Sequence, residues 1–88
     1  MSPELETLDQ LQSGDLSLAI IANLFPSPED FGSGVCGLLS SGDVILTMLD
    51  GTEVPEWRWR ELFRQQSVFG ELERLRLKIT PQGVRRIG

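Results

Sequence analysis

The segment from Trp57 to Arg64 concentrates side chains that bind aromatic or charged partners. Trp57 and Trp59 alternate with Arg58 and Arg60, and Arg64 follows. Exposed tryptophans among arginines stack on the bases of single-stranded nucleic acid or anchor protein interfaces as hot spots. In the alternative arrangement, one tryptophan belongs to the core and the other lies under arginine stems. The segment therefore predicts a partner-binding site at Trp57, Arg58, Trp59, Arg60 and Arg64.

A second basic group lies near the C-terminal end. Arg74, Arg76 and Lys78 alternate with apolar residues, so on a strand they would share one face at a spacing of about 6.7 Å. Such a stripe could contact the phosphates of a nucleic acid without reading bases. Two alternatives are a solvated face that pairs with acids of the same chain and a docking surface for an acidic partner. Arg85 and Arg86 extend the predicted basic group.

The chain lacks the residues that most catalytic and metal sites need. It has no histidine, no tyrosine and one cysteine, Cys36. Without histidine the commonest general base and metal ligand are missing, and a single cysteine allows neither an internal disulfide nor a zinc-binding cluster. The sequence therefore predicts a protein that is not an enzyme and needs no cofactor or metal. Cys36 is expected to be buried as a small apolar residue.

The string GSGVCG at residues 32–37 formally matches the G-x-G-x-x-G motif. That motif binds pyrophosphate only when it follows a strand and opens a helix in a doubly wound sheet. Here it follows the segment from Pro28 to Phe31, and the chain is too short for that fold. We therefore interpret the match as coincidental.

Charge is divided unevenly along the chain. Residues 1–53 carry nine acids and no lysine or arginine, whereas residues 54–88 carry eight bases against four acids. The two halves have formal charges of −9 and +4, for a net charge of −5. This division predicts a polarised surface or pairing of charges within the molecule.

Length and hydropathy restrict the class of protein. The 88 residues are expected to form one domain, residues 1–88. No apolar run approaches the roughly 20 residues that cross a bilayer, and the acidic start from Met1 to Glu6 lacks the basic region of a secretory signal. We therefore expect a cytoplasmic location and no membrane contact.

Cap, turn and periodicity patterns predict the elements that must position these residues. Ser2 and Ser27 can each cap a helix that begins with proline, and an apolar stripe of helical spacing starts at Phe31. Residues 55–66 fit both a helix and a strand, and Pro55 favours the helix. The predicted order is a helix at 3–13, a short buried helix or strand at 17–25, a helix at 28–40, a strand at 44–49, a helix at 55–66, a strand at 72–80 and a short final turn.

Three glycines weaken the predicted helix at 28–40. Gly32, Gly34 and Gly37 each cost about 1 kcal/mol relative to alanine, so packing must stabilise this helix. Gly34, Gly37 and Ser41 fall on one side of it. This small-residue side allows close approach either by another element of the chain or by a partner.

Two stretches resemble winged helix-turn-helix proteins. LSLAIIANLFPSPEDFGSGVCGLLSSGDVIL, from Leu16, resembles their helix-turn-helix core, with a short helix, a turn that ends in a Ser-Pro cap, an apolar-striped helix, a glycine and a strand in family order. LRLKITPQGVRRIG, from Leu75, looks like the second wing strand and its Thr-Pro-x-Gly exit. The resemblance implies an α+β, winged-helix-like fold. Three N-terminal helices would precede a two- or three-stranded antiparallel wing with a short helical insertion.

The resemblance also implies DNA binding through the helix at 28–40, but this helix departs from the family pattern. A recognition helix presents Arg, Lys, Asn or Gln to base edges. This one offers Glu29, Asp30, Ser33 and Ser40, and acids would repel the phosphates. Reading of the major groove by this helix is therefore not the function that we expect.

Our leading hypothesis is a regulatory or accessory domain that acts by binding another protein. The alternative is a small transcriptional regulator, acting as a homodimer, that contacts the DNA backbone through the basic wing. A weaker third hypothesis is an acidic protein that mimics nucleic acid and occupies a DNA-binding partner.

Overall fold

The computed structural model describes residues 2–87, which form a mixed α+β fold. It comprises five α-helices and a three-stranded antiparallel sheet of order β1-β3-β2. The elements are α1 (Pro3–Leu11), β1 (Leu16–Ser17), α2 (Leu18–Ala22), α3 (Pro28–Ser41), β2 (Val44–Met48), α4 (Glu56–Arg64), a 3₁₀ helix (Ser67–Gly70), β3 (Leu75–Ile79) and α5 (Pro81–Ile87).

The three N-terminal helices begin at serine caps. The hydroxyls of Ser2, Ser17 and Ser27 each accept a hydrogen bond from the backbone N–H three residues later. Such bonds satisfy donors that the first turn of a helix leaves free. α3 ends at Gly42, whose φ of 83° is left-handed and suits glycine. The predicted starts of the helices after Ser2 and Ser27 are therefore confirmed.

The core lies between the sheet and the helices. β3 is the central strand, where Leu77 lies between Leu16 of β1 and Leu46 of β2. The α3 stripe that starts at Phe31 is buried against this sheet. The fully buried large side chains include Phe31, Leu8, Leu11, Leu18, Ile21, Leu46 and Leu77. Burial of this apolar surface is the main favourable contribution to folding.

Several predicted boundaries are wrong in detail. The second helix ends at Ala22 rather than at residue 25, and α1 ends at Leu11 rather than at residue 13. The strand predicted at 72–80 covers only Leu75–Ile79, so Arg74 lies in the preceding turn. β1 was not predicted at all, because its two residues pair with a strand some 60 positions further along. Local periodicity carries no information on such a partner.

The ambiguous segment at 55–66 is a helix, as favoured, over Glu56–Arg64. It belongs to a long connection between β2 and β3, residues 49–74, which we call the insertion. A 3₁₀ helix that the sequence did not predict follows α4 in the insertion. None of the helices in residues 2–87 is both long and apolar enough to cross a bilayer.

The predicted final turn is a complete helix, α5, held against the turn between α3 and β2. The Thr80 hydroxyl accepts from the Gly83 N–H at 3.2 Å and donates to the Gly42 carbonyl at 2.6 Å. Gly83 packs against the backbone of Asp43 so closely that a Cβ there would collide with the Asp43 carbonyl. These contacts explain why Thr80 and Gly83 stand three residues apart at the start of α5.

Candidate functional site

α4 packs beside α3 because its apolar residues face inward. Trp59 is only 5% exposed, and the flanking Val54 and Val68 are also buried. The Phe63 ring lies 6.3 Å from the Phe31 ring of α3, centre to centre. The insertion is thus a packed part of the domain rather than a free wing.

An open groove of about 1000 Å³ separates α3 from the insertion. On the α3 side, its floor is formed by small residues, including Gly32 and Cys36. On the other side, Trp57, Phe63 and Phe69 supply aromatic walls. A Cβ added at Gly32 would meet no atom within 4 Å, so the floor is unfilled. We call this feature the α3–α4 groove.

The two tryptophans of the predicted site have opposite environments. Trp57 is 68% exposed on the rim of the groove, whereas Trp59 is a core residue. The side chain of Arg60 covers Trp59, with its guanidinium carbon 4.8 Å from the ring centre. The alternative prediction placed one tryptophan in the core and the other under arginine stems. Its first part is confirmed for Trp59, and its second part is wrong, because the arginine covers Trp59 itself and Trp57 is exposed.

Three predicted residues form one side of α4. Trp57, Arg60 and Arg64 are three and four positions apart, a spacing that aligns side chains along a helix, and all three line the groove. Arg60 contacts Glu56 at 3.1 Å and the Ser40 hydroxyl of α3 at 3.5 Å. Within residues 2–87, Arg64 makes no ion pair.

Arg58 does not lie on the side of α4 that faces the groove. It is exposed and is not among the residues that line the groove. The structure therefore brings four of the five predicted partner-binding residues to one groove, and it places the fifth elsewhere on α4. Gly32, Cys36, Phe63 and Phe69 are groove residues that the sequence analysis did not assign to the site.

Cys36 packs against the core but is only partly buried, so the expectation of a buried small apolar residue is wrong in its extent. α4 covers one side of α3 incompletely and leaves Cys36 in the floor of the groove. Burial raises the pKa of the Cys36 thiol above its ordinary value, and the positive charge of Arg60 opposes that rise. The thiol is therefore mostly protonated near neutral pH and is a weak nucleophile there.

The predicted basic group is partly occupied by contacts within the chain. Arg76 and Lys78 lie on the same side of β3, but Arg76 donates to the Asp15 carbonyl at 3.4 Å, and its Nε is enclosed without a partner. Arg86 is bound to Asp43 at 2.6 Å. Arg74, Lys78 and Arg85 are exposed. Arg76 and Arg86, two of the five basic residues, are thus already bound to other groups of the chain.

The small-residue side of α3 makes a close internal contact at one of its two glycines. A Cβ on Gly34 would collide with the ring of Phe25, so Gly34 permits an internal close approach. Gly37 is exposed and borders a separate, smaller depression beside α1. Glu29, Asp30 and Ser33 of α3 are also exposed.

Comparisons with known protein families, with curated proteins and with solved structures found no significant match to this chain. Within residues 2–87, no three His, Cys, Asp or Glu side chains are close enough together to hold a metal ion. The assignment of function therefore depends on the groove and on the distribution of charge.

Proposed function

We propose that this chain is a small, non-enzymatic regulatory or accessory domain that binds another protein through the α3–α4 groove. The observation that carries the proposal is Trp57, which is 68% exposed at the rim of an unfilled, aromatic-walled groove. Large exposed apolar side chains beside a cavity are typical of interaction sites, and tryptophan is enriched among interface hot spots.

We propose further that the scaffold is winged-helix-like. Three N-terminal helices precede an antiparallel pair, β2 and β3, and β1 adds a third strand to that pair. This order agrees with the resemblance on which the expectation rests. The insertion between β2 and β3 is the part that this chain adds, and it supplies one wall of the groove.

Two features of α3 argue against its reading DNA. Its exposed side chains include Glu29 and Asp30, and it contains no lysine or arginine, so it would repel the phosphates of DNA. A helix with its side chains is already about 10–12 Å wide, close to the roughly 12 Å width of the major groove. α4 lies directly beside α3, and the pair would be too wide to enter together.

The test is recovery of a partner from lysate by the tagged domain, with variants that each remove one exposed apolar side chain. Trp57→Ala should abolish recovery, because truncation of a hot-spot tryptophan costs about 2 kcal/mol or more. Leu49→Ala is the matched control, because Leu49 is 62% exposed and is not among the groove residues. Equal recovery by both variants would contradict the proposal.

A second candidate function is binding of the DNA backbone through the exposed cations Arg74, Lys78 and Arg85. It is favoured by the absence of ion pairs at these residues within 2–87. In mobility-shift assays, Arg74→Ala/Lys78→Ala should then weaken binding uniformly across sequences and reduce the salt slope by about 2. If no complex forms at low salt, this candidate is excluded.

A further inference from the structure

The exposed edges of the sheet offer little to a partner strand. On the outer edge of β2, the Met48 N–H donates to the Thr52 carbonyl at 2.8 Å, and the Val54 N–H donates to the Leu46 carbonyl at 2.8 Å. The other edge strand, β1, has only two residues. Recognition by strand addition needs a longer unpaired edge. A partner segment is therefore more compatible with the groove than with the sheet.

The α3–α4 groove has the form that receives a helix. Two contacts join its bounding helices, since Phe63 of α4 lies near Phe31 of α3 and Arg60 of α4 reaches Ser40, further along α3. The floor is open at Gly32. An apolar groove between two elements is the usual receptor for the apolar face of an amphipathic helix.

Charge on the α4 wall favours an acidic occupant. Arg60 and Arg64 follow Trp57 along the groove over about 10 Å, the rise of seven helical residues. Arg64 has no ion pair within residues 2–87. The Arg60–Glu56 bridge is exposed on both sides, and such surface pairs contribute little, so a partner carboxylate can compete for Arg60.

Two carboxylates, Glu29 and Glu61, also border the groove. Glu29 lies on the α3 side of the groove, which carries no Lys or Arg, whereas Glu61 is the one acid beside two arginines among the α4 residues that line it. A partner with acids on every face would meet repulsion on the α3 side, whereas one with acids beside its apolar stripe would not. The groove therefore selects the position of the partner's carboxylates as well as their sign.

We infer that the occupant of the α3–α4 groove is an amphipathic helix of a partner protein whose apolar stripe is flanked on one side by carboxylates. This inference rests on the proposed function and specifies the chemistry of the partner. The apolar side chains enter over Gly32, between Trp57 and Phe69, and the carboxylates contact Arg60 and Arg64.

The probe is a synthetic helix of about 15 residues, long enough for marginal helicity, with leucines at helical spacing and glutamates along one flank. A second peptide replaces those glutamates with lysines. In calorimetry with the full chain, the acidic peptide should bind at least about tenfold more tightly than the basic one. Its affinity should fall between roughly 0.05 and 0.5 M salt, because exposed charges are screened over a Debye length.

Two matched variants test the location. Gly32→Leu fills the open floor of the groove, whereas Gly37→Leu places the same side chain on another side of α3, also in open space. Both replace a glycine within a helix, so both should keep the circular dichroism of the wild type. Gly32→Leu should lose peptide binding, and Gly37→Leu should retain it.

The outcomes separate this inference from the proposed function. The inference is overturned if the acidic peptide fails to bind, if the basic peptide binds equally well, or if Gly32→Leu binds like wild type. A native partner could bind the wild type, fail to bind Trp57→Ala and yet resist displacement by the acidic peptide. In that case the proposed function stands, and the inference about the partner's chemistry is wrong. A dimer in light scattering that Gly32→Leu converts to a monomer would instead identify a second copy of this chain as the occupant.

Discussion

At the scale of single residues, Trp57 and Trp59 show how backbone conformation decides which side chain is buried and which is exposed. On a strand, two residues separated by one would point to the same face. On a helix they are rotated by about 200° from each other. Because residues 56–64 are helical, Trp59 enters the core and Trp57 remains at the groove. The same residue type is thus a core residue at one position and an exposed groove residue at the other.

The reactivity of Cys36 gives a test of the groove's electrostatics. Burial raises the pKa of this thiol, and Arg60 partly lowers it. Since only the thiolate is alkylated, the rate of alkylation should rise with pH until the pH passes the raised pKa. The midpoint of a pH–rate profile with iodoacetamide should therefore be more alkaline for the folded protein than for the protein in denaturant.

Arg60→Ala should move that midpoint to still higher pH, because it removes the positive charge that favours the thiolate. Arg64→Ala is the control and should leave the midpoint nearly unchanged, since Arg64 is not a cause of the shift. The midpoint reports the pKa independently of access to the groove. A midpoint that falls in Arg60→Ala would show that the assigned contact is wrong.

At the scale of the elements, α3 tolerates its glycines for different reasons. Gly34 accommodates the ring of Phe25, whereas Gly37 has open space around it. Gly37→Ala should therefore raise the free energy of unfolding by up to about 1 kcal/mol through helix propensity. Gly34→Ala should lower it by about 1–3 kcal/mol, because the Phe25 ring would have to move. Urea denaturation of both variants measures the difference, and equal effects would contradict the assigned packing.

Local sequence accounts for the helix starts but not for the assembly of the groove. The Ser27-Pro28 cap and the stripe from Phe31 depend on neighbours within a few residues, so they could be predicted. The composition of residues 57–64 likewise identified four groove residues. By contrast, β1 and the partial exposure of Cys36 depend on contacts with segments that are distant in the sequence. Periodicity along the chain does not encode which segment will lie opposite.

At the scale of the whole molecule, few ion pairs connect the acidic half of the chain with the basic half. Within residues 2–87 there are two ion pairs, and only Arg86–Asp43 connects the halves. The other, Arg60–Glu56, lies inside the basic half. Most charges of both signs therefore remain at the surface. A surface divided in this way would attract a charged partner over a distance, and most strongly at low ionic strength.

The single pair between the halves holds α5 in place. Asp43 is 1% exposed, and its carboxylate accepts from Arg86 at 2.6 Å, Ser41 at 2.9 Å and Gln82 at 3.3 Å. Two of these three donors belong to α5. A buried carboxylate without its partners is costly, so the C-terminal helix and the turn after α3 should unfold together.

Arg86→Ala should therefore lower the free energy of unfolding by about 1.5–3 kcal/mol, the range for hydrogen bonds to charged groups. Arg85→Ala is the matched control, because this neighbouring arginine is exposed and makes no ion pair within the described chain. Its effect should stay within about 0.5 kcal/mol. Both variants remove one positive charge, so their difference isolates the contact with Asp43 from the change in net charge. Equal losses in urea denaturation would mean that the Arg86–Asp43 contact adds nothing to the other contacts that hold α5.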